Sequence, residues 1–114
     1  MTTRKTLDAL YPKLAYNQRC KGCGRQAQEI HHIIRRDNLL LRWDYKNLLP
    51  LCRKCHSDIH SKGKWNHGLD LSPYSQYLEE RRYKLLSDFL LENNLSESDF
   101  LSQKEQEILS RILK

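Results

Sequence analysis

Residues 20–32 read CKGCGRQAQEIHH and residues 52–60 read CRKCHSDIH, and the spacing inside these two stretches decides the fold. Cys20-x-x-Cys23 and Cys52-x-x-Cys55 are two knuckles, each placing a pair of thiolates where they can bite one ion while nearby backbone N–H groups offset their charge. Gly22 and Gly24 supply the backbone freedom that the first knuckle requires. Two disulfides are the other use of four cysteines, but thiols stay reduced in a cytosol. The expectation is one closed structural zinc on Cys20, Cys23, Cys52 and Cys55, which staples a small fold and does no chemistry.

The same two stretches hold four of the five histidines. His56 and His60 are four apart, which puts both imidazoles on one face of the helix expected over Cys52–Lys62. His31 can supply a third nitrogen from a strand, leaving coordination positions open as a catalytic metal requires. Adjacent strand residues point to opposite faces, so His31 and His32 do not share one ion. One binds metal and the other is free to act as a base, a role that imidazole suits near neutral pH.

A chain of 114 residues fits one compact domain with a modest core, and its composition, 39% apolar and 30% charged, excludes a disordered polymer. No apolar run approaches the roughly 18 residues of a membrane span. No secretory signal is visible behind Met1-Thr2-Thr3-Arg4-Lys5, so a reducing cytoplasm, bacterial or that of a phage-infected host, is the expected location. The net charge of +6 is uneven: residues 1–68 carry +9 and residues 69–114 carry −3. The basic part is the cysteine and histidine part, which points to a polyanionic partner.

Leu7, Leu10, Tyr11 and Leu14 have helical spacing, with Pro12 expected to break the run into a short helix or two turns. Gln28–Ile34 and Asn38–Arg42 read as short strands around a turn at Arg36-Asp37. Beyond a junction at Gly63–Asp70 the texture changes. Ser72 as N-cap and Pro73 open an amphipathic helix running to Asn93-Asn94, and Ser102 with Glu105 reads as the capping box of another. The division is a core at 1–66 that holds the cysteines and paired histidines, with an N-terminal helical lead-in, and a helical extension at 67–114. That extension either packs on the core or pairs with a second copy as a homodimer.

These motifs resemble the HNH endonuclease family over roughly Cys20–Ser61. The resemblance implies an α+β fold: a ββα-metal, treble-clef-like core with the four-cysteine zinc site, plus flanking α-helices. It also implies roles: His31 and His56 on the metal, His32 as general base, and Asn47 in the connecting loop, either ordering that loop or touching the metal. Glu-x-His-His with an additional His60 is similar to the colicin-type nuclease domains, where an arginine four before the glutamate also serves the site; Arg25 matches. Glu29 is expected to orient a ligand histidine by a hydrogen bond, and Arg25 to clamp phosphate.

The implied activity is hydrolysis of DNA phosphodiesters, most readily double-stranded, with one catalytic divalent metal: Mg2+, Mn2+, Ni2+ or Zn2+. Arg35, Arg36, Arg42, Lys46, Arg53 and Lys54 surround the motifs and are candidates to track phosphates. No base-reading module is visible, so low sequence specificity is expected. A non-catalytic zinc-stabilised DNA-binding module is the alternative. A phage, mobile-element, restriction or packaging setting is equally compatible with the sequence.

Overall fold

The computed structural model describes residues 1–61 and 72–113. Thr3 opens α1 (Arg4–Leu10), its Oγ1 accepting the Thr6 N–H at 3.0 Å. At Pro12 the chain tightens into a 3-10 turn over Tyr11–Asn17, the short helix and turn that the spacing and the proline predict.

The sheet has two strands. β1 (Glu29–His32) pairs antiparallel with β2 (Leu48–Leu51), in the register Glu29↔Leu51, Ile30↔Pro50, His31↔Leu49, His32↔Leu48. The second strand is therefore not Asn38–Arg42, as the sequence suggested. Asn38 instead turns that segment helically: its Oδ1 accepts the Leu41 N–H and its carbonyl accepts the Arg42 N–H. β2 shows no alternation because all four of its residues are buried. Pro50 fits because Ile33 N–H donates to the Asn47 carbonyl, which puts Ile30 and Pro50 at a pair without ladder bonds. The missing N–H then costs the ladder nothing, and the Pro50 carbonyl accepts from Lys21 at 3.0 Å.

α2 (Arg53–Ser61) follows directly from the second knuckle, as expected; the Gly63–Asp70 junction lies outside the described residues. The helix expected from Ser72 to Asn93 is two, α3 (Ser75–Arg81) and α4 (Leu86–Glu92). Asn38 Nδ2 donates to the Arg81 and Arg82 carbonyls at 3.1 and 2.9 Å, closing the C-terminus of α3 from outside the helix. Ser72 Oγ does accept the Tyr74 N–H at 3.0 Å. Asn94, at φ 49°, ends α4 where the sequence placed the stop. α5 (Glu97–Ile112) begins earlier than expected. Its cap is Ser96, whose Oγ accepts the Asp99 N–H, while Glu105 accepts from Thr2 Oγ1 at 2.8 Å and so belongs to packing and not to a cap.

Two apolar clusters sit on either side of β2. Leu48 joins Leu7, Leu14, Trp43, Phe100 and Ile108, whereas Leu49 and Leu51 join Ile33, Leu41, Ile59 and Leu78 beside Cys20 and Cys52. Burying one such side chain contributes about 1.5–3 kcal/mol. α5 lies on the N-terminal segment, with Arg4 paired to Glu97 at 2.6 Å and Asn17 Nδ2 donating to the Ile112 carbonyl at 2.8 Å. α5 thus packs on α1 and the 3-10 turn over Tyr11–Asn17. Among the described residues no helix is long and apolar enough to cross a membrane.

Candidate metal centre and active site

The two knuckles converge. Sγ atoms of Cys20, Cys23, Cys52 and Cys55 all lie within 4.8 Å of one another, with Cys23 and Cys52 3.6 Å apart, and none is in a disulfide. Gly22 and Cys55 N–H groups donate to the sulfurs of Cys20 and Cys52 at 3.3 and 3.5 Å. Burial opposes ionisation of Cys20, yet backbone N–H groups of Cys52, Cys23 and Gly22 outweigh it and bring the thiol down to about 6. Burial and the neighbouring sulfurs push Cys55 up to about 12. Four thiols this close cannot all ionise without a cation between them, so the donor set fits zinc. A Cβ on Gly22 would lie 2.9 Å from Cys55 Sγ, which is why the knuckle has glycine there. Gly24 takes φ 81°, a second position where a side chain is strained.

Strand alternation separates Glu29 and His31 from Ile30 and His32. Glu29 and His31 face α2. The ring nitrogens of His31, His56 and His60 come within 4.8 Å of one another, and the His31 ring centroid lies 5.2 and 5.5 Å from those of His56 and His60. His56 Nδ1 is 2.9 Å from Glu29 Oε1, so the carboxylate takes the Nδ1–H and leaves Nε2 its lone pair, 3.0 Å from His60 Nε2. Burial, then the charges of His56 and His60, pushes His31 down to about 4, which keeps it neutral. Three imidazoles with one carboxylate behind them are a donor set for a divalent ion with open positions.

His32 lies on the other side of β1, its ring edge-on to Tyr11 with centroids 5.0 Å apart. Its Nε2 is 2.9 Å from the Arg42 carbonyl. A carbonyl only accepts, so Nε2 carries the hydrogen and Nδ1 the lone pair. Burial pushes its pKa down to about 4, although the Arg42 carbonyl opposes the shift, so the ring is neutral and able to accept a proton. Neither Tyr11 nor the Arg42 carbonyl had a signature in the sequence; both reach His32 only through the fold.

Asn47 is fully buried, and its amide is saturated by the loop: Oδ1 accepts from Ile34 N–H at 2.7 Å, and Nδ2 donates to the Ile34 and Leu41 carbonyls at 3.0 Å each. Of the two roles open to it in the sequence, the geometry favours ordering the loop. Arg25 is exposed beside the first knuckle, and its carbonyl accepts the Cys20 N–H. Arg35, Arg36, Arg53 and Lys54 are exposed, Arg53 lying 3.8 Å from Glu29. Arg42 is half-buried in a bidentate pair with Asp8, at 2.8 and 3.1 Å, with Trp43 Nε1 on the same carboxylate at 2.9 Å. Lys46 Nζ stands over the rings of Tyr77 and Tyr45, at 4.4 and 5.1 Å.

Residues 18–62 match the HNH endonuclease family. The matched segment runs from the lead into Cys20 to the end of α2, so it contains the four cysteines, both histidine pairs, Glu29 and Asn47. Comparison with curated proteins and with solved structures returned no match. Residues 18–62 are thus similar to an HNH domain, and the described part of this segment holds the two-stranded antiparallel sheet, α2 and the four-cysteine cluster. That class points to nuclease or nucleic-acid-binding function.

Proposed function

We propose that the protein is a metal-dependent endonuclease that hydrolyses DNA phosphodiester bonds. The observation that carries this reading is the convergence of His31, His56 and His60 on one face of β1, with His32 held on the other by the Arg42 carbonyl. Three ligands that leave open positions, beside a base that is not itself a ligand, form a hydrolytic arrangement; a purely structural site closes its shell.

In the proposed reaction His32 Nδ1 takes a proton from water, the oxygen attacks phosphorus in line, and the bond to the 3′ oxygen breaks, giving 5′ phosphate products. A divalent cation held by His31, His56 and His60 would stabilise the negative charge that builds on the phosphate and on the departing oxygen. Glu29 holds the His56 ring so that Nε2 faces the other two imidazoles. Asn47 is a positioning residue, keeping the β1–β2 loop in the shape that presents the Arg42 carbonyl to His32. Arg25 is assigned to the phosphate as a planar, bidentate donor, with Arg35, Arg36, Arg53 and Lys54 along the backbone. Lys46 joins them, and Arg42 serves chiefly through its carbonyl, because Asp8 occupies its guanidinium.

Imidazole ligands favour Zn2+ or Ni2+ over Mg2+ and Mn2+ by type. Reduced thiols fit a cytoplasmic protein. The test is incubation of the zinc-loaded protein with supercoiled plasmid in the presence of Mg2+, Mn2+, Ni2+ or Zn2+, each against EDTA. Metal-dependent nicking or linearisation is expected. DNA binding with no cleavage under any of these ions would instead support a non-catalytic zinc-stabilised module.

A further inference from the structure

A small pocket lies behind β2, where the first zinc knuckle, the 3-10 turn over Tyr45–Asn47 and the last turn of α5 meet. Its volume is about 140 Å3, and among the described residues its lining includes Lys21, Lys46 and Arg111 but no carboxylate. The other cavity described is different: it is about 780 Å3, and its Arg4 is already paired with Glu97, another lining residue.

The three cations come from distant parts of the chain, and two of them are oriented by one aromatic ring. Arg111 Cζ lies 4.1 Å from the Tyr45 ring centroid, and Lys46 Nζ lies 5.1 Å from the same ring, so one aromatic face system orients both. Lys21 sits inside the Cys20–Cys23 knuckle, its N–H bonded to the Pro50 carbonyl at 3.0 Å. Gln18 and the hydroxyl-bearing Ser72, Tyr45 and Tyr74 add to the polar lining, over an apolar floor that includes Leu49. Leu49 pairs with His31, so the pocket is one strand away from the histidine cluster.

Lysine and arginine side chains lining one pocket beside hydroxyls suit a phosphate group, for whose oxygens Lys and Arg are point and fork donors respectively. We infer that Lys21, Lys46 and Arg111 form a second, non-catalytic pocket that takes one phosphate group, supplied by the nucleic-acid backbone. The C-terminal extension, acidic overall, then contributes Arg111 to substrate binding. The zinc knuckle contributes Lys21, so the structural ion also shapes this pocket. The inference rests on the proposed nuclease reading for the source of the phosphate, not for the pocket itself.

The test is duplex binding by zinc-loaded protein with no other divalent ion added, measured by fluorescence anisotropy across a range of salt. Wild type is compared with Lys21→Gln, Arg111→Gln and the control Lys5→Gln, with zinc content and melting temperature recorded for each. Lys21→Gln and Arg111→Gln are each expected to weaken binding roughly three- to tenfold and to lower the salt slope by about one, while Lys5→Gln does neither. The Lys21 side chain is exposed, so this variant reads the pocket even if Arg111→Gln loosens the end of α5. A parallel arm titrates inorganic phosphate and follows amide chemical shifts at Lys21 and Ser72. Should wild type fail to bind the duplex, the nuclease reading falls, and shifts that vanish in Arg111→Gln would still establish the pocket with free phosphate as its ligand. Equal duplex binding and equal salt slopes in all four proteins would overturn the inference, as would the absence of both duplex binding and phosphate shifts.

Discussion

Glu29 Oε1 stands 2.9 Å from His56 Nδ1, across the gap between β1 and α2, and that contact selects which nitrogen of His56 faces His31 and His60. A carboxylate in this position fixes the tautomer and raises the basicity of the ring. Glu29→Gln keeps the shape and loses the charge. It is expected to weaken binding of Ni2+ or Zn2+ at the histidine cluster by about 10- to 100-fold in titration calorimetry, with structural zinc retained. Unchanged affinity would show that Glu29 serves Arg53 and not the cluster.

The first knuckle is closed by the absence of a side chain. Gly22→Ala puts a methyl group 2.9 Å from Cys55 Sγ and 3.2 Å from its Cβ, atoms that cannot both move while the four sulfurs stay on one ion. Overpacking of this kind costs about 1–3 kcal/mol. The variant should melt at lower temperature and lose zinc earlier to a chromogenic chelator. Cys52→Ser, which removes a ligand, should fail to fold; a Cys52→Ser protein melting like wild type would remove the case for structural zinc.

Asn47 makes three hydrogen bonds with the backbone on either side of the β1–β2 loop, in full burial. Asn47→Ala leaves the Ile34 N–H and carbonyl without partners and the Leu41 carbonyl with the Asp44 N–H alone, at a cost of about 2–4 kcal/mol in thermal or denaturant unfolding. Asn47→Asp does not restore it, because a carboxylate cannot donate to the Ile34 and Leu41 carbonyls. If the aspartate variant is as stable as wild type, the amide is not the tie described here.

Metal-ligand spacing is local chemistry, and so the knuckles at Cys20 and Cys52 and the two histidine pairs were legible in the sequence, together with the division between His31 and His32 that follows from strand alternation. The α1 break at Pro12 and the stop at Asn94 were legible for the same reason: one residue sets the backbone. Leu48–Leu51 was not, since a strand buried on both faces shows no period and Pro50 speaks against a ladder. Asn38 accounts for two further differences. Its side chain turns 38–42 away from a strand and closes α3 from a distance, splitting a helix whose apolar spacing runs on through Leu85 and Phe89. The Ser96 start of α5 stands in the sequence as Ser-x-x-Asp, but Ser102 with Glu105 has the same form, and only the fold places Ser102 against Thr2. Among the basic residues, nothing in the sequence told Arg42, spent on Asp8, from the exposed Arg35 and Arg36.

The most direct measurement is the rate of plasmid cleavage by His32→Ala against wild type under the same divalent ion, with metal affinity of both determined in parallel. His32 holds a lone pair on Nδ1 because its Nε2–H is spent on the Arg42 carbonyl, and it is not among the three histidines that converge. Cleavage is therefore expected to fall by about 10²- to 10⁴-fold while metal and DNA binding persist. Wild-type cleavage by His32→Ala, or loss of metal together with activity, would contradict a base that stands apart from the ligands.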